Sequence, residues 1–199
     1  MDTLFPKDVH FELPDAEISY YPNFLNKQKA NHYFDSLKTA IPWQQDDIAV
    51  FGKTYTQPRL TALFANNTLP YSYSNITMHP QVFSSELLLI KSAIETIEPI
   101  VFTTCLANLY RDGKDSNGWH ADDEKELGQN PVIASVTLGQ ERWFHLKHKE
   151  DRSLKQKILL GHGSLLLMKG PTQHFWKHQI PKTTRAIGER INLTFRVIK

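Results

Sequence analysis

Downstream of residue 100 the apolar residues stop recurring every three or four positions and begin to alternate. That change of period confines the chain to few folds. Seven segments read as short strands: 101–110, 132–138, 142–148, 158–160, 164–168, 174–180 and 190–198. Gly, Pro, Asn and Asp punctuate them. Upstream, two helices are predicted. Asn26 caps the first, which sets Ala30, Phe34, Leu37 and Ile41 on one face and ends at Pro42. The second starts near Ser84 or Ser85, buries Leu87, Ile90, Ile94 and Ile97, and stops at Pro99. Residues 48–78 read as hairpins. Two helices followed by a run of strands predict an α+β fold, with N-terminal helices packed outside a β-sandwich or jelly roll.

Composition agrees with one ordinary globular domain of 199 residues, 40% hydrophobic and 22% charged. No apolar run approaches the ~18 residues of a membrane helix, so no membrane partner is expected. The first 21 residues carry five acids and one lysine, which is unlike a secretory signal. Cys105 is the single cysteine, which excludes an intrachain disulfide framework and fits a reducing compartment. Net charge is uneven. Residues 1–140 hold 10 Lys/Arg and 17 Asp/Glu, whereas residues 141–199 hold 13 and 4. A basic C-terminal third invites a polyanion, although a mixed solvated surface reads the same way.

The final strand is the most specific segment. In Arg190-Ile-Asn-Leu-Thr-Phe-Arg196 the apolar residues alternate with polar ones, so Arg190, Asn192, Thr194 and Arg196 share one face. That face is either an ordinary wet face or a row of donors for a dicarboxylate. Upstream, His120-Ala-Asp122 sets an imidazole and a carboxylate two apart. If the segment is extended, both point the same way and can share a metal ion. His-x-Asp alone is weak, because it arises by chance. His178 is the available third ligand, and two His with one carboxylate form the facial set of non-haem iron(II) oxygenases. Zinc is chemically open to the same ligands, but leaves the donor row unexplained. Of the other histidines, His10, His32, His79, His145 and His148 read as exposed, His162 as a turn residue and His174 as structural.

The order Asn108-Leu-Tyr110, His120-x-Asp122, His178 and Arg190-x-Asn192-x-Thr194-x-Arg196 resembles the AlkB family of iron(II)/2-oxoglutarate dioxygenases. Those enzymes oxidatively remove alkyl groups from nucleic-acid bases. The resemblance spans residues 45–199 and is closest to the animal homologues that act on DNA. It implies a double-stranded β-helix (jelly roll) core with Fe(2+) held by His120, Asp122 and His178. The cosubstrate 2-oxoglutarate would bind Asn108 and Tyr110, with Arg190 and Arg196 clamping its carboxylates and Asn192 and Thr194 completing the pocket; O2 is the oxidant.

The resemblance also implies a layout: an N-terminal extension and helix over 1–45, a nucleotide-recognition lid over 46–80 and a catalytic core over 100–199, in one dioxygenase domain. Within the lid, Tyr73 falls where an aromatic stacks on the flipped base, and Tyr71 and Arg59 where family members touch nucleic acid. Val50, Phe51 and Gly52 match a hairpin that wedges into the duplex. Asp123 and Glu124 are placed to read a cationic methylated base, Asp123 through its exocyclic amino group. Phe64-Ala65 departs from the Tyr-Gly of many relatives. Residues 147–157 form an expected basic loop, extended by Lys182 and Arg185. The expected partner is alkylated DNA bearing 1-methyladenine or 3-methylcytosine, with RNA, a protein substrate or a non-catalytic nucleic-acid module as alternatives. A monomer is expected, cytoplasmic in a bacterium and nuclear in a eukaryote.

Overall fold

Asn26 accepts a hydrogen bond from the Lys29 N–H and starts helix α1 (Lys27–Ala40); Ser84 does the same for Leu87 and starts α2 (Ser85–Ile97). A computed structural model of the chain describes residues 7–50, 53–67, 71–73 and 76–198. Strands β1 (Val9–Phe11) and β2 (Glu17–Tyr21) precede α1. Between the helices lie β3 (Asp47–Val50), β4 (Lys53–Thr56), β5 (Leu60–Ala65), β6 (Tyr71–Tyr73) and β7 (Ile76–Met78). After α2 come β8 (Thr104–Tyr110), β9 (Asn117–His120), β10 (Ile133–Gly139), β11 (Arg142–His148), β12 (Lys155–Leu160) and β13 (Ser164–Lys169). A one-turn helix α3 (Thr172–Phe175), β14 (Trp176–Ile180) and β15 (Arg190–Arg196) follow.

The strands build two antiparallel sheets that face each other. The larger has seven strands in the order β1-β2-β13-β10-β15-β8-β5, and the smaller has four, β12-β11-β14-β9. The crossed order of sequence neighbours is that of a jelly roll. Strands β3–β4 and β6–β7 form separate hairpins.

Two apolar layers hold this together. Leu37 of α1 and Leu87, Ile90 and Ile94 of α2 pack on the outer face of the large sheet, against Ala107, Val136, Leu193 and Phe195. Ile133, Phe144, Leu146, Leu166, Met168 and Trp176 fill the space between the sheets. Each such side chain contributes about 1.5–3 kcal/mol by leaving water. Gly139, at φ +85°, turns β10 towards β11; a side chain there would meet the Glu189 carbonyl.

The structure departs from the sequence-based reading in several places. The N-terminal segment is not only an extension and a helix, because β1 and β2 add an edge to the large sheet beside β13. The alternation in Glu-Ile-Ser-Tyr-Tyr was masked by surrounding acids. Residues 48–78 are not all hairpin: β5 pairs with β8 inside the large sheet. Ile97 is 37% exposed rather than part of the buried stripe. The basic segment 147–157 is a loop over 149–154, and its two ends belong to β11 and β12. His148 is buried, not exposed; its Nδ1 accepts the Glu150 and Asp151 N–H groups and its ring stacks on Phe175.

Candidate active site

Strand β15 sits between β10 and β8, so its polar face is flanked on both sides. In register, Asn192 lies opposite Asn108 of β8 and Thr137 of β10, Thr194 opposite Ser135, and Arg190 opposite Tyr110. The polar side chains bond to one another. Arg190 Nη2 donates to Thr137 Oγ1 (2.9 Å) and Asn192 Oδ1 (2.7 Å). Ser135 Oγ donates to the same Asn192 oxygen (2.9 Å), and Asn192 Nδ2 donates to Thr194 Oγ1 (2.8 Å). The result is a fixed polar floor inside an otherwise apolar sandwich.

At one end of this floor three potential ligands converge. One ligand atom each from His120, Asp122 and His178 lies within 4.8 Å of the others. Strand β9 carries His120 opposite His178 of β14. The extended segment ends at His120, and Asp122 reaches the site from the following loop, its N–H held by Gln173 Oε1 (2.9 Å). His120 Nδ1 lies 2.8 Å from the Gly118 carbonyl, which can only accept, so the proton is on Nδ1 and Nε2 keeps its lone pair. Phe144 stacks on the His178 ring at 5.0 Å. Asp122 Oδ1 accepts from Arg196 Nη2 (2.6 Å), and its Oδ2 faces His178 Nε2 at 3.8 Å.

Charge states suit a divalent cation. Burial, with the neighbouring His120, brings His178 down to about 3, and burial also lowers His120, so both imidazoles are neutral near pH 7. Burial would raise Asp122, yet Arg196 and the two imidazoles hold its carboxyl below the usual carboxylate range. Two neutral His and a carboxylate with one oxygen spoken for are a donor set that iron(II) accepts.

The other end suits an anion. Arg190 is 1% exposed, and burial lowers it to about 10. The Tyr110 ring lies 5.2 Å from its Cζ and its hydroxyl supports the charge, but no acceptor meets Nε or Nη1 in hydrogen-bond geometry. A buried guanidinium in that state is a receptor for a carboxylate. Cation site and anion receptor share one cleft, as a 2-oxo dicarboxylate would require.

The remaining predicted residues fall unevenly. Arg196 is engaged with Asp122, a role the clamp expectation did not include. Arg59 is a correction: it is 4% exposed and its Nε donates to Asn108 Oδ1 (2.7 Å), so it braces the polar wall instead of facing outward. Asp123 pairs with Lys149 Nζ (2.9 Å), and Glu124 Oε2 is buried without a hydrogen-bond partner. Phe51 and Gly52 lie outside the described residues, as do the side chains of Val50, Tyr71 and Tyr73. Sequence reasoning missed Ser135, Thr137, Asn117, Gln173 and Arg142. The first two were findable as hydroxyls at alternate positions in an apolar strand. Arg142 is buried and donates to the carbonyls of Asp112, Asp115 and Pro181.

A family model described as the 2OG-Fe(II) oxygenase superfamily matches residues 17–196. The alpha-ketoglutarate-dependent dioxygenase alkB homolog 3 of Bos taurus is 42% identical over 197 residues, covering 92% of this chain and 66% of that protein. The DNA oxidative demethylase ALKBH2 of Homo sapiens is 33% identical over 203 residues, covering 97% and 77%. The chain belongs to the AlkB family of 2OG-Fe(II) oxygenases. It spans slightly under two thirds of the length of the Bos taurus relative. Among solved structures, that of OsALKBH1 superposes with a TM-score of 0.67, covering 94% of this chain and 98% of the other. At 16% identity that likeness is one of fold alone, and it is the jelly roll that AlkB-family membership leads one to expect.

Proposed function

We propose that this chain is an iron(II)- and 2-oxoglutarate-dependent dioxygenase that demethylates alkylated DNA bases of the 1-methyladenine and 3-methylcytosine type. One observation carries the reading: a two-histidine, one-carboxylate ligand set shares a cleft with a buried arginine that has no acceptor for Nε and Nη1. The names of the Bos taurus and Homo sapiens relatives support both the cosubstrate and DNA as substrate.

In this reading His120, Asp122 and His178 hold the iron. With 2-oxoglutarate and O2, the iron supplies oxidation of an N-methyl group to a hydroxymethyl that leaves as formaldehyde, the cosubstrate ending as succinate and CO2. The chain does the rest. Arg190 neutralises the distal carboxylate, and Asn108, Tyr110, Asn192 and Thr194 fix the cosubstrate's orientation. Arg196 keeps Asp122 ionised and holds one of its oxygens. Leu106, Ile133, Phe144 and Met168 wall the cleft with apolar surface and exclude water. Residues 46–80, apart from β5 in the large sheet, form the lid, with Tyr73 stacking on the extruded base and Tyr71 beside the nucleic acid. Val50, Phe51 and Gly52 enter the vacated stack. Asp123 and Glu124 attract the cationic base; a methylated base that pairs badly is also cheap to extrude. The basic hairpin end, with Lys149, Arg152 and Lys155, takes backbone phosphates without reading sequence. The chain acts as a monomer, in the cytoplasm of a bacterium or the nucleus of a eukaryote.

The test incubates the protein with iron(II), 2-oxoglutarate, ascorbate and a DNA oligonucleotide carrying one 1-methyladenine, with RNA and methylated-peptide arms. Loss of one methylene unit from the DNA, absent with His120→Ala, is expected. Succinate formation without DNA demethylation would move the substrate elsewhere, and no succinate under any condition would overturn the reading.

A further inference from the structure

The outer face of the four-stranded sheet is open. Side chains of β11 and β14 alternate between buried and outward positions, and those of β12 do so from Lys157 onward, so one face of the sheet is core and the other is solvent. Trp143 (48% exposed) and Trp119 (38% exposed) stand on the outer face, large aromatic rings that burial would otherwise claim. Lysines stand among them. His145 pairs with Lys157, and Lys147 with both Lys155 and Lys177, across three adjacent strands. Lys147 Nζ lies 4.3 Å from the Trp119 ring centroid. None of the outward positions of the four strands is acidic. From Trp143 to Lys147 the face runs about 13 Å along the strand, room for two or three stacked nucleotides.

The face is continuous with the active site. β9 is the edge strand of this sheet, and its consecutive residues Trp119 and His120 point to opposite sides. A strand leaving the cleft past His120 therefore crosses that edge onto Trp119. Exposed aromatics interleaved with lysines, with no carboxylate to repel phosphate, are the chemistry that binds unpaired nucleotides: bases stack and ammonium groups take the backbone. We infer that the outer face of the β12-β11-β14-β9 sheet is a stacking platform for the unpaired strand that flanks the target base. The inference takes its direction from the function proposed above, and it places a second binding surface beyond the cleft and lid. Bases stack on Trp143 and Trp119, while Lys157, Lys155 and Lys177 hold the phosphates. The surface makes unpaired DNA a better ligand than a paired duplex, whose bases are already stacked.

The test needs neither metal nor cosubstrate. The whole chain is titrated into a labelled, unmodified oligothymidylate of about fifteen nucleotides, a length within the usual site sizes, and anisotropy is read across a salt series. Trp143→Ala is expected to weaken binding about tenfold and Trp143→Phe by much less. Lys157→Glu with Lys177→Glu should weaken it further, and Lys157→Gln with Lys177→Gln should flatten the logarithmic salt slope by about 1.4. Thermal melts check that each variant folds. Affinities within twofold of wild type for both Trp143→Ala and the double reversal would overturn the platform. So would tighter binding to phosphatidylserine-containing vesicles that the same variants abolish, since the face would then be a membrane surface. Demethylation of a trinucleotide carrying 1-methyladenine, too short to reach Trp143, should be unchanged in the variants; a parallel loss there would also overturn it. If wild type fails to demethylate the trinucleotide and longer DNA alike, the proposed reaction fails, and the titration alone decides the platform.

Discussion

A buried guanidinium with two of its nitrogens unmet by an acceptor weakens a fold until an anion meets it, and Arg190 is in that position at Nε and Nη1. Arg190→Met should therefore leave the ligand-free protein as stable as wild type or raise its melting temperature. The same change should lower affinity for 2-oxoglutarate by about thirtyfold or more. Calorimetric titration with manganese(II) in place of iron checks the second half, and a melt checks the first. A clear fall in ligand-free melting temperature would show that Arg190 is already neutralised within the protein. Asp122→Asn should act in the opposite sense, losing metal and also destabilising the fold, because Arg196 keeps its charge and loses its ionised partner. Metal content and melting temperature should fall together. At this scale the sequence was most legible where chemistry repeats with the strand period, as in Arg190, Asn192, Thr194 and Arg196. Gln173 was illegible, since an amide that holds a ligand's loop through one hydrogen bond leaves no periodic trace. Arg59 was misplaced for a related reason: a motif position fixes where a backbone goes but not which way a guanidinium turns.

One acid links the two helices. Glu86, in the first turn of α2, accepts from Ser36 of α1 (2.8 Å), and Glu86 is lowered to about 2 by its own backbone N–H, then by Ser36 and Ser85. A carboxyl depressed on folding contributes stability that is complete above its ordinary value of 4.5 and lost as pH falls towards 2. Ser36→Ala should raise the Glu86 value, read by NMR titration, and flatten the loss of stability across that window. An unchanged titration would mean the helix end alone sets it. The helices were legible because caps and a 3.6-residue stripe agree. β11 was legible to the residue, since its alternation is uninterrupted. β12 began earlier than expected, as three of its first residues are polar and only the pairing with β11 makes them strand. The helical turn at Thr172–Phe175 broke the expected strand 174–180, because nothing local distinguishes one helical turn from a strand entry.

For the whole molecule, Cys105 is a built-in reporter. It lies near the start of β8, fully buried between Phe64 and Phe195, and burial pushes its thiol far up. Iodoacetamide should label it only as fast as the chain unfolds globally, and manganese(II) with 2-oxoglutarate should slow labelling by stabilising the folded state. Rapid labelling under native conditions would mean that the large sheet opens locally. The jelly roll could be anticipated from the strand count, but the order in which strands pair could not, because partners such as β8 and β15 lie some eighty residues apart and no local pattern names them.

One feature of that sheet ties assembly to chemistry. The apolar side chains of β15 face the helices while its polar ones face the cleft. A slip of one residue in pairing would turn Arg190 and Arg196 into the apolar layer and Phe195 into the cleft. The misfolded form would be blind to its cosubstrate as well as unstable. Cosubstrate affinity is therefore a fingerprint of correct pairing at the middle of the sheet: a preparation that binds 2-oxoglutarate stoichiometrically has certified its own register.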